Sequence, residues 1–205
     1  MNTKKKIIEE ALVLFSERGY SDVYVGDIAK AVGIKAPSLY KHYKNKQEIF
    51  EAILEELKSS YTEQALSIGI DGNNVSADAG IYTEISEEKL IEIGKNLFLY
   101  FLHDNHMVLF RKLLTLEQYH NSELADLYSR QYFDDPMTYQ GGLFKLLIAT
   151  GKLKNVDPQV LALQFYAPIY TLLTVCDRDP VREQEALKLL ESHIRQFNIN
   201  YLEDK

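Results

Sequence analysis

The stretch that most constrains this chain is Val25-Gly-Asp-Ile-Ala-Lys-Ala-Val-Gly-Ile-Lys-Ala-Pro-Ser-Leu-Tyr-Lys-His-Tyr43. Two short helices joined by a tight turn need a small residue where they cross, a turn residue free to take positive φ, and apolar residues clamping both onto a third helix. Ala29, Gly33 and the set Ile28, Val32, Ile34 and Leu39 meet those needs in order. The third helix is at hand. Ile7, Ile8, Ala11, Leu12, Leu14 and Phe15 recur at three- and four-residue steps, so one apolar stripe is predicted on a helix from about Thr3 to Arg18. Thr3 is its predicted N-cap and Gly19 its stop. The segment therefore reads as a helix-turn-helix, with helices near Val25 to Val32 and from Pro37 to about Tyr43.

Helical periodicity continues through the rest of the chain and strand signals are nearly absent. Asn45 and Glu48 have capping-box spacing and open a helix predicted to reach about Leu66. Gly69 to Gly80, with three glycines and two asparagines, reads as a loop. Helices are then expected over Ser86 to His103, Asn105 to Tyr119, Ser122 to Phe133, Pro136 to Thr150, Pro158 to Val175 and Pro180 to Phe197. The fold class is all-α with about nine helices: a helix-turn-helix part at residues 1–46 and a larger helical part at 47–205.

Charge is sorted along the chain in the same way. The net charge is −7. Residues 1–46 carry nine Lys/Arg against five Asp/Glu, whereas residues 47–205 carry fourteen against twenty-five. Between Ile28 and Lys46 there are five lysines and no acid. A small basic head on an acidic body suits a nucleic-acid binder whose head alone meets phosphate. The single cysteine, Cys176, forms no internal disulfide and reads as a small buried apolar group in a reducing compartment. No apolar run is expected to suffice for a membrane span, and a cytoplasmic location without membrane partners is expected.

Gly19-Tyr20, Asp27 to Gly33, Ala36 to Tyr43 and Lys46-Gln-Glu-Ile-Phe50 together resemble the DNA-binding domain of the TetR family of bacterial transcriptional regulators, over about residues 3–55. The resemblance implies a ligand-responsive repressor that binds a palindromic operator as a homodimer. Two positions depart from the family's pattern. Val23 and Tyr24 stand where threonine is common, so the Tyr24 hydroxyl takes the place of a hydroxyl contact to phosphate. Lys35 stands where serine often opens the recognition helix. Residues at the N-terminal end of such a helix face base edges in the major groove. Lys35, Ala36, Ser38 and Lys41 are thus candidate DNA-reading residues, Tyr40, His42, Tyr43 and Lys46 are candidate phosphate contacts, and Pro37 belongs to the same DNA-binding set. Tyr40 and Tyr43 also suit core packing.

Of 23 aromatic residues, 14 lie between Ile81 and Tyr170. Phe98, Phe101, Phe110, Tyr119, Tyr132, Tyr139, Phe165 and Tyr166 are the candidate walls for an apolar or amphipathic small-molecule effector of unknown identity. By the resemblance, the two C-terminal helices pair with their mates in a four-helix bundle. The candidate interface is Leu161, Phe165, Ile169, Leu172, Leu173, Leu187, Leu190 and Ile194, and Leu173→Glu is expected to give monomers. The helix from Asn45 to about Leu66 is the expected lever between ligand and head. No phosphate-cradling glycine loop, nucleophile elbow or His-Glu-x-x-His motif occurs, so neither an enzyme nor a cofactor is expected. His103, His106, Glu117 and His120 are the best metal-ligand candidates, but Asp104 and Asn105 read as a helix break between the first two. A metal-sensing or activating regulator of the same fold is the alternative, and an enzyme without a recognisable motif stands behind it.

Overall fold

A computed structural model describes residues 2–203. Its α-helices are α1 (Thr3–Arg18), α2 (Val25–Val32), α3 (Ala36–Leu39), α4 (Lys46–Ser67), α5 (Val75–Glu84), α6 (Glu87–His103), α7 (Asn105–Glu117), α8 (Ser122–Ser129), α9 (Asp135–Ala149), α10 (Pro158–Arg178) and α11 (Glu183–Tyr201). Among the described residues the one extended pairing is an antiparallel bridge between Leu153 and Leu202. The fold is all-α.

Among the described residues eleven α-helical segments stand where the sequence predicts about nine, and the differences have local causes. Residues 69–80 are not all loop, because Asn74 caps α5 by accepting the Ala77 amide at 3.2 Å. Asp78, fully buried, then accepts the amides of Asp71 and Gly72 at 2.8 and 2.9 Å and ties the preceding loop to α5. Helical periodicity gave no sign of this helix because polar groups hold its start. Pro136 does not break the chain between α8 and α9. A π-helical turn at Arg130–Asp134 precedes it, with the Asp135 amide bonded to the Arg130 carbonyl, so one irregular helical run absorbs the proline.

The chain forms two compact units. The first comprises residues up to Tyr61 together with Asp104–Tyr128. Ile7, Leu12, Phe15, Ile28, Leu39, Ile49, Ile53, Leu113 and Leu114 are fully buried there, and α1 packs on both α2 and α7. Phe15, Tyr20 and Phe50 pack ring on ring, and Phe110 joins Phe50 at 6.4 Å. The sequence places the boundary at residues 46/47, whereas packing carries the first unit on to Tyr61 and adds α7 and nearly all of α8 to it.

The second unit comprises Thr62–His103 and the chain from Ser129 onward. One core cluster gathers Leu143, Phe144, Leu147, Leu161 and Phe197, and another gathers Ile91, Phe98, Leu173, Cys176, Leu190 and Ile194. Helix α10 is long and apolar enough to cross a membrane by length and composition, contrary to the sequence expectation. Residues 158–176 carry no charged side chain. Here α10 packs on α9, α6 and α11.

Candidate nucleic-acid interface

Geometry at the head begins with the turn between α2 and α3. Gly33 sits at φ 79° and ψ 29°, the left-handed conformation that an L side chain resists. Its neighbour Ile34 donates to the Ala29 carbonyl at 2.9 Å, closing the end of α2. From α1, Lys6 Nζ donates to the Val32 carbonyl at 3.0 Å, a positive charge at a helix C-terminus. At the other end of α2, Asp27 accepts the Tyr24 amide at 2.9 Å and lies 3.5 Å from Arg18. The Tyr24 amide, supplemented by Arg18, holds the Asp27 carboxyl below its ordinary range. Asp27 thus reaches back to the amide of the cap residue, and the Tyr24 side chain is left 70% exposed.

Helix α3 is shorter than expected, but the chain keeps turning after Leu39, with Tyr43 donating its amide to the Leu39 carbonyl at 3.1 Å. Leu39 and Tyr43, four apart, face inward and are buried. Lys35, Pro37, Tyr40, Lys41 and His42 are exposed, while Ala36 and Ser38 are half-buried. Lys35 gives no side-chain cap to α3. The candidate readers therefore sit on and beside a short anchored helix, flanked by exposed basic and aromatic residues.

Two candidate phosphate contacts have other work. Tyr43 is a core residue with 3% exposure, and Lys4 lies 5.2 Å from its ring centroid. Its burial follows from the four-residue step to Leu39. Lys46 Nζ donates to the carbonyls of Tyr20 at 2.6 Å and Val23 at 2.9 Å, and stands 4.2 Å from the Tyr20 ring centroid. Burial lowers its pKa, against the opposing pull of Glu117 and Asp22. Lys46 therefore clamps the turn between α1 and α2. The partner of that clamp is Glu117, a buried carboxylate at the end of α7 that accepts the Tyr20 amide at 2.8 Å. Gly19 is needed beside it: its φ is 85°, and a Cβ there would lie 2.5 Å from Glu117 Oε1. In the sequence Glu117 stands out only as a metal-ligand candidate, and nothing local marks a bond across 97 positions.

The start of α4 matches its expected box in part. Asn45 accepts the Glu48 amide at 2.8 Å, but Glu48 reaches back to the Lys44 amide rather than to Asn45.

The metal-ligand candidates do not gather. His103 pairs with Glu183 at 3.1 Å, Glu117 is spent on Tyr20, and His120 is exposed. Among the described residues no group of three or more His, Cys, Asp or Glu is placed to hold a metal ion.

The candidate effector walls are dispersed as well. Phe98 is buried in an α6/α10/α11 cluster with Phe101 packed against it, and Phe110 belongs to the core of the head. Tyr119 is 83% exposed. Tyr132 packs on Tyr170 at 5.7 Å, Tyr166 stacks on Tyr170 at 6.2 Å, and the Tyr139 hydroxyl donates to Asp78 at 2.5 Å. Of the eight, Phe165 alone lines the cavity of about 100 Å³ in the second unit.

The candidate dimer residues divide into two sets. Leu161, Leu173, Leu190 and Ile194 are buried within the protomer, so they face their own core and not a partner. Phe165, Ile169, Leu172 and Leu187 are half-buried. The outward apolar residues of α10 and α11 are instead Val160, Leu163, Leu189 and Ile199, each at least 48% exposed. A shallow groove beside them is lined by Ala167, Pro168, Thr171, Leu172, Leu189 and His193. Periodicity marked the apolar helices but could not separate their two apolar sides.

Residues 7–53 match the model for bacterial regulatory proteins of the tetR family. Two relatives are biofilm operon icaADBC HTH-type negative transcriptional regulators, both called IcaR. The Staphylococcus epidermidis protein is 52% identical over 52 residues, 25% of this chain and 28% of its own length. The Staphylococcus aureus protein is 40% identical over 76 residues, 37% of this chain and 40% of its own length. The chain thus matches well under half of each relative. Likeness in fold extends to the whole chain. A TetR-family regulator structure from Mesorhizobium loti has a TM-score of 0.68 at 17% identity, covering 98% of this chain and 97% of that one. SmeT, repressor of the Stenotrophomonas maltophilia efflux pump SmeDEF, has a TM-score of 0.65 at 18% identity, covering 100% and 92%. A SmeT–triclosan complex gives 0.67 at 18% identity, covering 98% and 92%.

Proposed function

We propose, from the match of its first quarter to the model for bacterial regulatory proteins of the tetR family, that the chain is a transcriptional repressor that binds a palindromic operator as a homodimer and is released by a small molecule. The observation that carries this reading is the exposed set Lys35, Pro37, Tyr40 and Lys41 on and flanking the short helix α3, with the inward residues Leu39 and Tyr43 locked in the core. Such a helix presents side chains to a major groove from a rigid base. In this reading Lys35, Ala36, Pro37, Ser38 and Lys41 meet base edges and adjoining phosphate. Tyr24, Tyr40 and His42 position the head on the backbone. Residues 1–46 do the reading, and 47–205 carry the dimer and effector functions. A protein that reads operator DNA works in the cytoplasm.

The dimer forms through the outward faces of α10 and α11, because Leu163 and Leu189 leave apolar surface without cover in the protomer. Effector response is supported by the fold shared with SmeT, whose structure with triclosan places a small molecule on such a fold. Two recognition helices fit successive major grooves only at about 34–36 Å spacing. A ligand therefore acts by favouring a dimer with another spacing, and α4, which both units share along the chain, is the lever.

Selection of bound fragments from the source genome tests the reading. The expected outcome is enrichment of one or a few inverted repeats. Uniform recovery of all fragments would contradict it.

A further inference from the structure

The cavity of the second unit lies among Phe144 and Leu147 of α9, Phe165 of α10 and Phe197 of α11. It also meets polar groups, and nearly all of these are already engaged. Asn198 Nδ2 donates to Glu87 at 3.0 Å, and Glu87 in turn accepts from Arg195 at 2.5 Å. Lys152 Nζ donates to the Thr83 carbonyl at 2.8 Å, and Ser86 Oγ accepts the Lys89 amide at 3.2 Å. Gln140 is the exception: its side-chain oxygen is buried and has no hydrogen-bond partner. A buried acceptor without a partner is costly, and a molecule that donates to it, a water or a ligand, relieves that cost.

We propose that this cavity is a binding site for a compact, neutral, largely apolar molecule that donates one hydrogen bond to Gln140 Oε1. Size follows from the volume. An enclosed apolar cavity of about 150 Å³ holds benzene, so about 100 Å³ that is not fully enclosed admits nothing larger than a single ring or a short branched chain. Chemistry follows from the walls. The Gln140 oxygen disfavours an anion, and the two charged lining groups are already engaged, Glu87 by Arg195 and Asn198 and Lys152 by the Thr83 carbonyl, so neither selects a charged ligand. Burying an unpaired ion is far more costly than burying a neutral donor. Occupancy of the site stands on these observations alone. That occupancy weakens operator binding rests on the effector reading above.

Phenol and toluene, with equal numbers of heavy atoms, are the probes, titrated into the full chain without DNA by calorimetry and by ¹⁵N NMR. Phenol is expected to saturate the site and to shift the Gln140 side-chain amide resonances. In Gln140→Met, which keeps the volume and removes the acceptor, the phenol-to-toluene affinity ratio is expected to fall about tenfold. Leu147→Trp, which fills the cavity, is expected to abolish binding of both. An unchanged ratio in Gln140→Met overturns the proposal. So does a folded wild-type chain that binds neither probe, or one that binds benzoate more tightly than phenol. Should Gln140→Met not fold, the native Gln140 amide decides: resonances unmoved at saturating phenol overturn the site. A last arm adds operator DNA. Phenol that binds while operator stays bound upholds the site and removes its effector role, whereas absent phenol binding removes the site and leaves the repressor reading to its own test.

Discussion

Glu117 and Lys46 act on one turn: the carboxylate takes the Tyr20 amide while the ammonium takes the Tyr20 and Val23 carbonyls. The turn precedes α2 directly, so its geometry sets where the helix-turn-helix begins. Glu117→Ala leaves a half-buried amide unpaired and is expected to destabilise the chain by about 1–3 kcal/mol in urea unfolding. Glu117→Gln keeps an acceptor and is expected to stay close to wild type. Equal loss in both variants would show that charge, rather than the hydrogen bond, holds the turn. Asp27 gives a second residue-scale expectation, in pH. Its carboxyl is held below the ordinary range by the Tyr24 amide, so its contribution is full above the unfolded value of about 3.9 and is lost as pH falls through the lower folded value. The stability difference between wild type and Asp27→Asn should therefore be largest near neutral pH and shrink in acid. A difference that grows on acidification contradicts the assignment.

Helices were legible in the sequence to the extent that apolar periodicity built them. The stripe of α1 and the Ala29–Gly33–Leu39 spacing needed only local chemistry, and Gly33 takes the left-handed conformation that the turn required. Helix α5 was hidden because Asn74 and the buried Asp78, rather than an apolar stripe, fix its start. In α10 and α11 the apolar residues were visible, but their division between an inner and an outer side was not, because both sides are apolar. That division changes which substitution tests the dimer. Leu173 is 7% exposed and packed in the core, so Leu173→Glu is expected to unfold the protomer rather than to separate two of them. Leu163→Glu and Leu189→Glu, at 55% and 48% exposure, are expected to give folded monomers by light scattering with little change in the protomer's circular dichroism. A wild-type chain that is monomeric at micromolar concentration contradicts the dimer outright. The same limit explains the scattered effector residues: aromatic content showed where rings are plentiful, whereas an unpaired Gln140 oxygen emerges only once neighbours from several helices are in place.

The whole molecule joins a basic head, nine Lys/Arg against five Asp/Glu in residues 1–46, to an acidic remainder of fourteen against twenty-five. In the proposed repressor that distribution would confine attraction for DNA to the head. It also makes binding depend on salt in a way that separates the lysines. Each phosphate contact contributes a slope of about −0.9 in log affinity against log salt. Lys41 is exposed beside the recognition segment, whereas Lys46 is committed to the carbonyls of its own turn. The most direct measurement is fluorescence anisotropy of a selected operator duplex titrated with the full chain across a range of salt, for wild type, Lys41→Ala and Lys46→Ala. The expected result is a steep negative slope for the wild type. Lys41→Ala should flatten it by about two units per dimer, while Lys46→Ala weakens binding through stability with the slope kept. No salt-dependent binding to any selected duplex would contradict the account.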